Sequence, residues 1–135
     1  MTGLVAALGA LAAATVSGLV WRSRQGRLRT VAAATLPEPV LRQVDATAAV
    51  TLLQLTTPIC ARCPQAHVVL GELAAATPGI RHTELDLAAY PELAGNLGVR
   101  STPTTLVISR SGHELFRVAG VPRRAELLHA LQPHL

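Results

Sequence analysis

Nineteen consecutive residues, Gly3 to Trp21, carry no charge, and this run constrains the chain more than any other feature. As a helix it is about 28 Å long, close to the roughly 30 Å hydrocarbon core of a bilayer. It is apolar all round, so it offers no polar face to water. Trp21 stands at its end, where an interfacial aromatic belongs, and Arg22, Arg24, Arg27 and Arg29 follow at once. A secretory signal peptide carries its positive charges before the apolar run; here only the α-amino group precedes it. The reading is a single-pass transmembrane anchor. The positive-inside rule then places the Arg cluster, and everything after it, in the cytoplasm at the cell membrane. What remains suffices for one ordinary domain.

The net charge of +4 is local. All 12 basic residues are Arg; after residue 30 eight Arg face eight acidic residues, so that part is neutral. No aromatic interleaves with the basic run, and a nucleic-acid partner is not expected. Half the residues are hydrophobic, with one Trp, one Tyr and one Phe, so a core must be built from aliphatic side chains. Pro37 and Pro39 exclude a continuous helix through the connector Thr30 to Ala48, where Val40 to Val44 suggests a short edge strand.

Ala49 to Thr56 is a nearly unbroken apolar run and reads as a buried strand. Thr57-Pro58 breaks it. From Cys60 to about Ala76 apolar residues recur at helical spacing, and Thr77-Pro78-Gly79 supplies the stop. Ile80 to Leu87 reads as a strand, Pro91 to Leu97 as a short helix with Gly98 at its C-cap. Thr104 to Ser109 and His113 to Ala119 form a hairpin about Ser111-Gly112, and Pro122 to Leu131 is a last amphipathic helix. The first half is a βαβ unit; the second adds an antiparallel hairpin and a covering helix. The fold class is α/β.

The two cysteines, Cys60 and Cys63, fall where a buried strand gives way to a helix. Free N–H groups and the positive helix end favour an anion there, and Arg62 adds a positive charge. A thiolate is the attacking species in disulfide exchange. Cys60 is therefore the candidate nucleophile. Cys63, one turn on, is the candidate resolving thiol. Pro64 lies in the first turn, where a missing N–H costs little. It also excludes haem attachment, which needs His directly after the second Cys. A metal at the pair needs more ligands. His67 is the one close candidate, and it reads as a solvated helix residue. No metal or other cofactor is expected beyond the redox-active pair.

Taken together, Cys60-Ala61-Arg62-Cys63, the Thr102-Pro103 loop, the Ser111-Gly112 hairpin, Gly120 and the stretch PELAGNLGVRSTPT (Pro91 to Thr104) resemble the thioredoxin family. The resemblance spans about residues 48–133. It implies a thioredoxin-like fold, a central mixed sheet flanked by helices, behind the N-terminal helix. The chain then divides into an anchor at 1–21, a basic juxtamembrane segment and linker at 22–47, and the domain at 48–135. It also implies that Pro103 is cis and packs against the cysteine pair. Ile59, Thr102, Pro103 and Gly120 would line the groove that docks an extended substrate.

The sequence departs from the family in places that bear on chemistry. Ile59 stands where Trp is usual, and Ala61-Arg62 where Gly-Pro is usual. Gln54 replaces the buried Asp that assists proton transfer, and Glu84 matches its Lys partner. Gln54 is no base, so proton transfer from Cys63 would go through water or Glu84. The first strand and helix look shortened. Two functions fit. One is a thiol–disulfide oxidoreductase acting on protein disulfides or dithiols near the membrane, re-reduced by a thioredoxin reductase or a membrane partner. The other is a redox-weak binding or metal-holding module that docks a membrane partner.

Overall fold

The computed structural model describes residues 1–30 and 35–135. Residues 31–34, part of the expected connector, lie outside the described residues. Helix α1 (Thr2–Arg24) is 23 residues long with a mean hydropathy of 2.0, and none of it is buried. It is long and apolar enough to cross a membrane. At about 1.5 Å per residue it spans roughly 34 Å.

Among the described residues, five strands form one mixed sheet: β1 (Leu28–Thr30), β2 (Val50–Thr56), β3 (Ile80–Asp86), β4 (Thr104–Ser109) and β5 (Glu114–Ala119). Their spatial order is β1-β5-β4-β2-β3, with β2 and β3 parallel and the other neighbours antiparallel. The described residues also hold α-helices α2 (Glu38–Leu41), α3 (Cys63–Ala76), α4 (Leu93–Asn96) and α5 (Arg124–Leu131), and short 3-10 turns at Leu87–Ala89 and Gln132–His134.

The alternation of side chains along each strand divides the core into two layers. Leu53, Leu55, Leu106 and Ile108 turn to one face, beneath Val40 of α2 and Leu93 of α4. Leu52, Val107, Phe116 and Val118 turn to the other, beneath Leu70 and Leu73 of α3 and Leu127 and Leu131 of α5. β3 contributes to both, Ile80 to the second layer and Leu85 to the first. Its even-numbered side chains share the α3 face.

The sheet begins earlier than residue 48. Leu28–Thr30 pairs with β5 in antiparallel register, Leu28 opposite Val118, so part of the segment expected as linker is an edge strand. The expected strand at Val40 to Val44 is instead the end of helix α2, Val40 and Leu41, and the turn that follows it. Pro37 is the N-cap of α2 and Pro39 lies in its first turn, where proline's missing N–H costs nothing and its fixed φ suits the helix.

Asp45 fastens the turn into β2. Its carboxylate accepts from the Thr47 hydroxyl and N–H and from Arg81, while its own N–H donates to the buried Thr51 Oγ1. The Thr47 hydroxyl, then the Thr47 N–H and Arg81, hold the Asp45 carboxyl down at about 2. A depressed carboxyl adds stability above its unfolded value, and that stability is lost as pH falls through about 2. The Asp45→Asn variant is expected to show a flatter acid limb between about pH 4 and pH 2. Unfolding followed by circular dichroism across that window checks it, and an unchanged limb would remove Asp45 from the account.

Candidate functional site

Cys60 and Cys63 are joined by a disulfide with their Cα atoms 5.5 Å apart. The helix expected from Cys60 starts three residues later: Arg62 is its N-cap and Cys63 its first residue, with Pro64 in the first turn. Cys60 thus sits in the tight turn before the helix, its carbonyl accepting from the Cys63 N–H. Cys63 is 6% exposed, whereas Cys60 is half-buried and reachable. Ile59 beside it is 97% exposed.

The Thr102–Pro103 peptide is cis, the geometry the resemblance implies, and Pro103 is buried. Two contacts fix this loop beside the pair. Thr102 Oγ1 lies 3.3 Å from Thr57 Oγ1 at the end of β2, and the Gly120 N–H donates to the Pro103 carbonyl at 2.8 Å. Gly120 has φ +83°, open to glycine at little cost, and Gln25 packs against it at 3.5 Å from where a Cβ would stand. Thr102, Pro103 and Gly120 line a groove of about 640 Å³ together with Arg62, Trp21 and Gln25. Ile59 stands outside it. Six arginines, Arg24, Arg27, Arg29, Arg62, Arg100 and Arg117, make the groove basic.

The segment after α1 closes one side of this groove, which sequence reasoning did not foresee. The Gly26 N–H donates to the Ala119 carbonyl at 2.7 Å, and the Arg62 guanidinium donates to Gln25 Oε1. Arg62, expected as a supporting charge, is therefore held away from free rotation by the residue that follows α1. Arg117 is a second unforeseen residue. It forks onto both carboxylate oxygens of Glu114 and donates to the Leu97 carbonyl at the end of α4.

Beneath the pair lies Gln54, fully buried on the α3 face of β2. Its Nε2 donates to the Cys63 carbonyl at 3.0 Å, and its Oε1 meets His82 Nε2 at 3.2 Å. Since the amide nitrogen is the donor to the carbonyl, Oε1 is an acceptor, and His82 Nε2 carries the proton. Burial lowers the His82 imidazolium below the ordinary histidine range, nearby His67 lowers it further, and Glu84 opposes. Glu84, expected to stand in for the proton-transfer partner, instead meets His67 Nδ1 at 3.1 Å. His67 is exposed but engaged, pairing with Glu84 and stacking edge-on against the His82 ring. The signal for His82 was its place two residues before Glu84, which puts both on one face of a strand.

The family model for thioredoxin matches residues 34–133. The chain belongs to the thioredoxin family. The thioredoxin of Chlamydia muridarum (strain MoPn / Nigg) is 33% identical over 75 residues, which cover 56% of this chain and 72% of that one. Among solved structures, a mutant thioredoxin from Halobacterium salinarum NRC-1 superposes with a TM-score of 0.60 at 21% identity. That match covers 74% of this chain and 87% of that one. Thioredoxin NaTrxh from Nicotiana alata gives 0.54 at 20% identity, over 64% and 73% of the two chains. These structural matches establish the thioredoxin-like α/β fold. With a cysteine pair at disulfide distance on that fold, the thioredoxin domain supports thiol–disulfide redox activity and an oxidoreductase class.

Proposed function

We propose that this protein is a membrane-anchored oxidoreductase that reduces protein disulfides through Cys60 and Cys63. The observation that carries the reading is the contrast between the two sulfurs. Cys60 is reachable beside exposed Ile59 and the cis-proline groove, while Cys63 is buried behind it. In the reduced protein the Cys60 thiolate attacks one sulfur of a substrate disulfide. The other substrate sulfur leaves as a thiolate and takes up a proton. Cys63 then loses its proton and attacks Cys60 Sγ, expelling the second substrate thiolate. Two electrons pass to the substrate, and the Cys60–Cys63 disulfide remains.

The thiolate at Cys60 is favoured by the N-terminal end of α3 and by the basic groove, in which Arg62 is nearest along the chain. Ile59, Thr102, Pro103 and Gly120 serve as the docking surface for an extended substrate segment. Re-reduction falls to a thioredoxin reductase or to a membrane partner. α1 anchors the chain, and Arg22, Arg24, Arg27 and Arg29 behind it favour a cytoplasmic domain.

One observation favours the weaker-redox alternative. Gln54, twice hydrogen-bonded, has no proton to exchange with Cys63. Insulin reduction by the full chain in detergent micelles, driven by dithiothreitol, separates the two. Catalysis well above the dithiothreitol background is expected. A background rate, with the disulfide still forming in a glutathione titration, would leave the docking role as the function.

A further inference from the structure

We infer that His67, His82 and Glu84 form a binding site for one divalent transition-metal ion, separate from the cysteine pair. Each offers a ligand atom, and these atoms all lie within 4.8 Å of one another. His67 Nδ1 and Glu84 Oε1 are 3.1 Å apart. A tetrahedral zinc bound at about 2.0–2.1 Å holds its ligand atoms roughly 3.3 Å from each other. One edge of the set is thus already formed, and modest side-chain rotation of the two exposed residues closes the rest.

The fold prepares the third ligand. His82 Nε2 is committed as donor to Gln54 Oε1, because Gln54 Nε2 donates to the Cys63 carbonyl. The lone pair of His82 is therefore on Nδ1. That atom faces α3, 3.9 Å from where a Cβ would stand on Gly71, one turn along from His67. A histidine ligand whose second nitrogen is hydrogen-bonded has its tautomer and ring orientation fixed in advance. His82 is in that condition without an ion. The rings of His67 and His82 stand 5.1 Å apart at 63°, edge to face rather than stacked.

Two imidazoles and a carboxylate are a ligand set that zinc takes, with water in the fourth position. Neither cysteine sulfur is needed. The site lies on the far side of Gln54 from the pair, and Gln54 touches both His82 and Cys63. A metal at this place would bind with the disulfide intact, unlike one held by thiolates.

The test uses the full chain, free of any affinity tag, in detergent micelles with the Cys60–Cys63 disulfide confirmed by mass spectrometry. Cobalt(II) is titrated and followed by its visible absorption, and zinc chloride is titrated by calorimetry. One ion per chain is expected, with a tetrahedral cobalt spectrum that zinc abolishes. His67→Ala and Glu84→Ala, both at exposed positions, should each weaken binding by about tenfold or more while circular dichroism stays unchanged. Binding that needs prior reduction would place the ion on the cysteines and overturn the inference. So would stoichiometric binding that survives both variants. Absence of saturable binding would leave an ordinary surface ion pair and overturn it equally.

Discussion

With Cys63 replaced by serine, turnover of a protein disulfide is expected to fall by roughly two orders of magnitude or more, and a covalent adduct to accumulate in its place. The two losses have one cause. Cys60 is the reachable sulfur and still attacks, so the mixed disulfide forms. Its resolution needs a second sulfur behind Cys60, and the position that supplies it is the buried first residue of α3. Serine cannot complete the exchange. A non-reducing gel of the Cys63→Ser chain with a disulfide substrate should show a one-to-one adduct that dithiothreitol removes. Cys60→Ser should lose turnover without trapping anything. A trap on the Cys60→Ser chain would reverse the assignment. Near-normal turnover by Cys63→Ser would mean that an external thiol, not Cys63, resolves the intermediate.

Arg117→Ala is expected to cost about 3–5 kcal/mol of stability, the usual consequence of leaving one partner of a buried ion pair alone. The side chains of Arg117 and Glu114 are 16% and 4% exposed. The guanidinium satisfies both carboxylate oxygens and the Leu97 carbonyl. Its removal strands a desolvated carboxylate and frees the end of α4, the start of the loop that carries Thr102 and Pro103. Chemical denaturation should report the loss, and insulin reduction should decline as that loop slackens. The double variant Glu114→Leu/Arg117→Leu is expected to recover much of the stability, since no charge is then left buried. A cost below about 1 kcal/mol for Arg117→Ala would class the pair with ordinary surface contacts.

Most of the α/β order was legible because its signals are local. The apolar run before the cysteines, the Thr-Pro-Gly stop after α3 and the Ser111-Gly112 turn all act within a few residues of themselves. β1 was not legible. Leu28-Arg29-Thr30 has no pattern of its own, and it becomes a strand only through pairing with β5, far along the chain. α2 was hidden by its prolines, which read as breakers although both fall where a helix begins. At the site, Cys60 and Cys63 were carried by their spacing at a strand-to-helix junction, and the Thr102-Pro103 loop by the family resemblance. Glu84 was singled out along the chain, but its contact depends on α3 crossing over β3, and that crossing brings His67 to it. Gln54 was recognised as no base; that it ties His82 to the Cys63 carbonyl needed three elements in place at once.

The junction at Gln25, Gly26 and Arg27 sets how this domain can meet other molecules. These residues pass directly from the end of α1 into the sheet, and both Gln25 and Gly26 are hydrogen-bonded to the rim of the groove. With α1 in a bilayer, as proposed, the domain has no leash on which to tumble. The search for a substrate becomes a lateral one, in a plane, with the reactive sulfur at a nearly constant height. Partners would then be sorted by how far above the lipid they display their disulfide, a geometric filter that operates before any side chain is read.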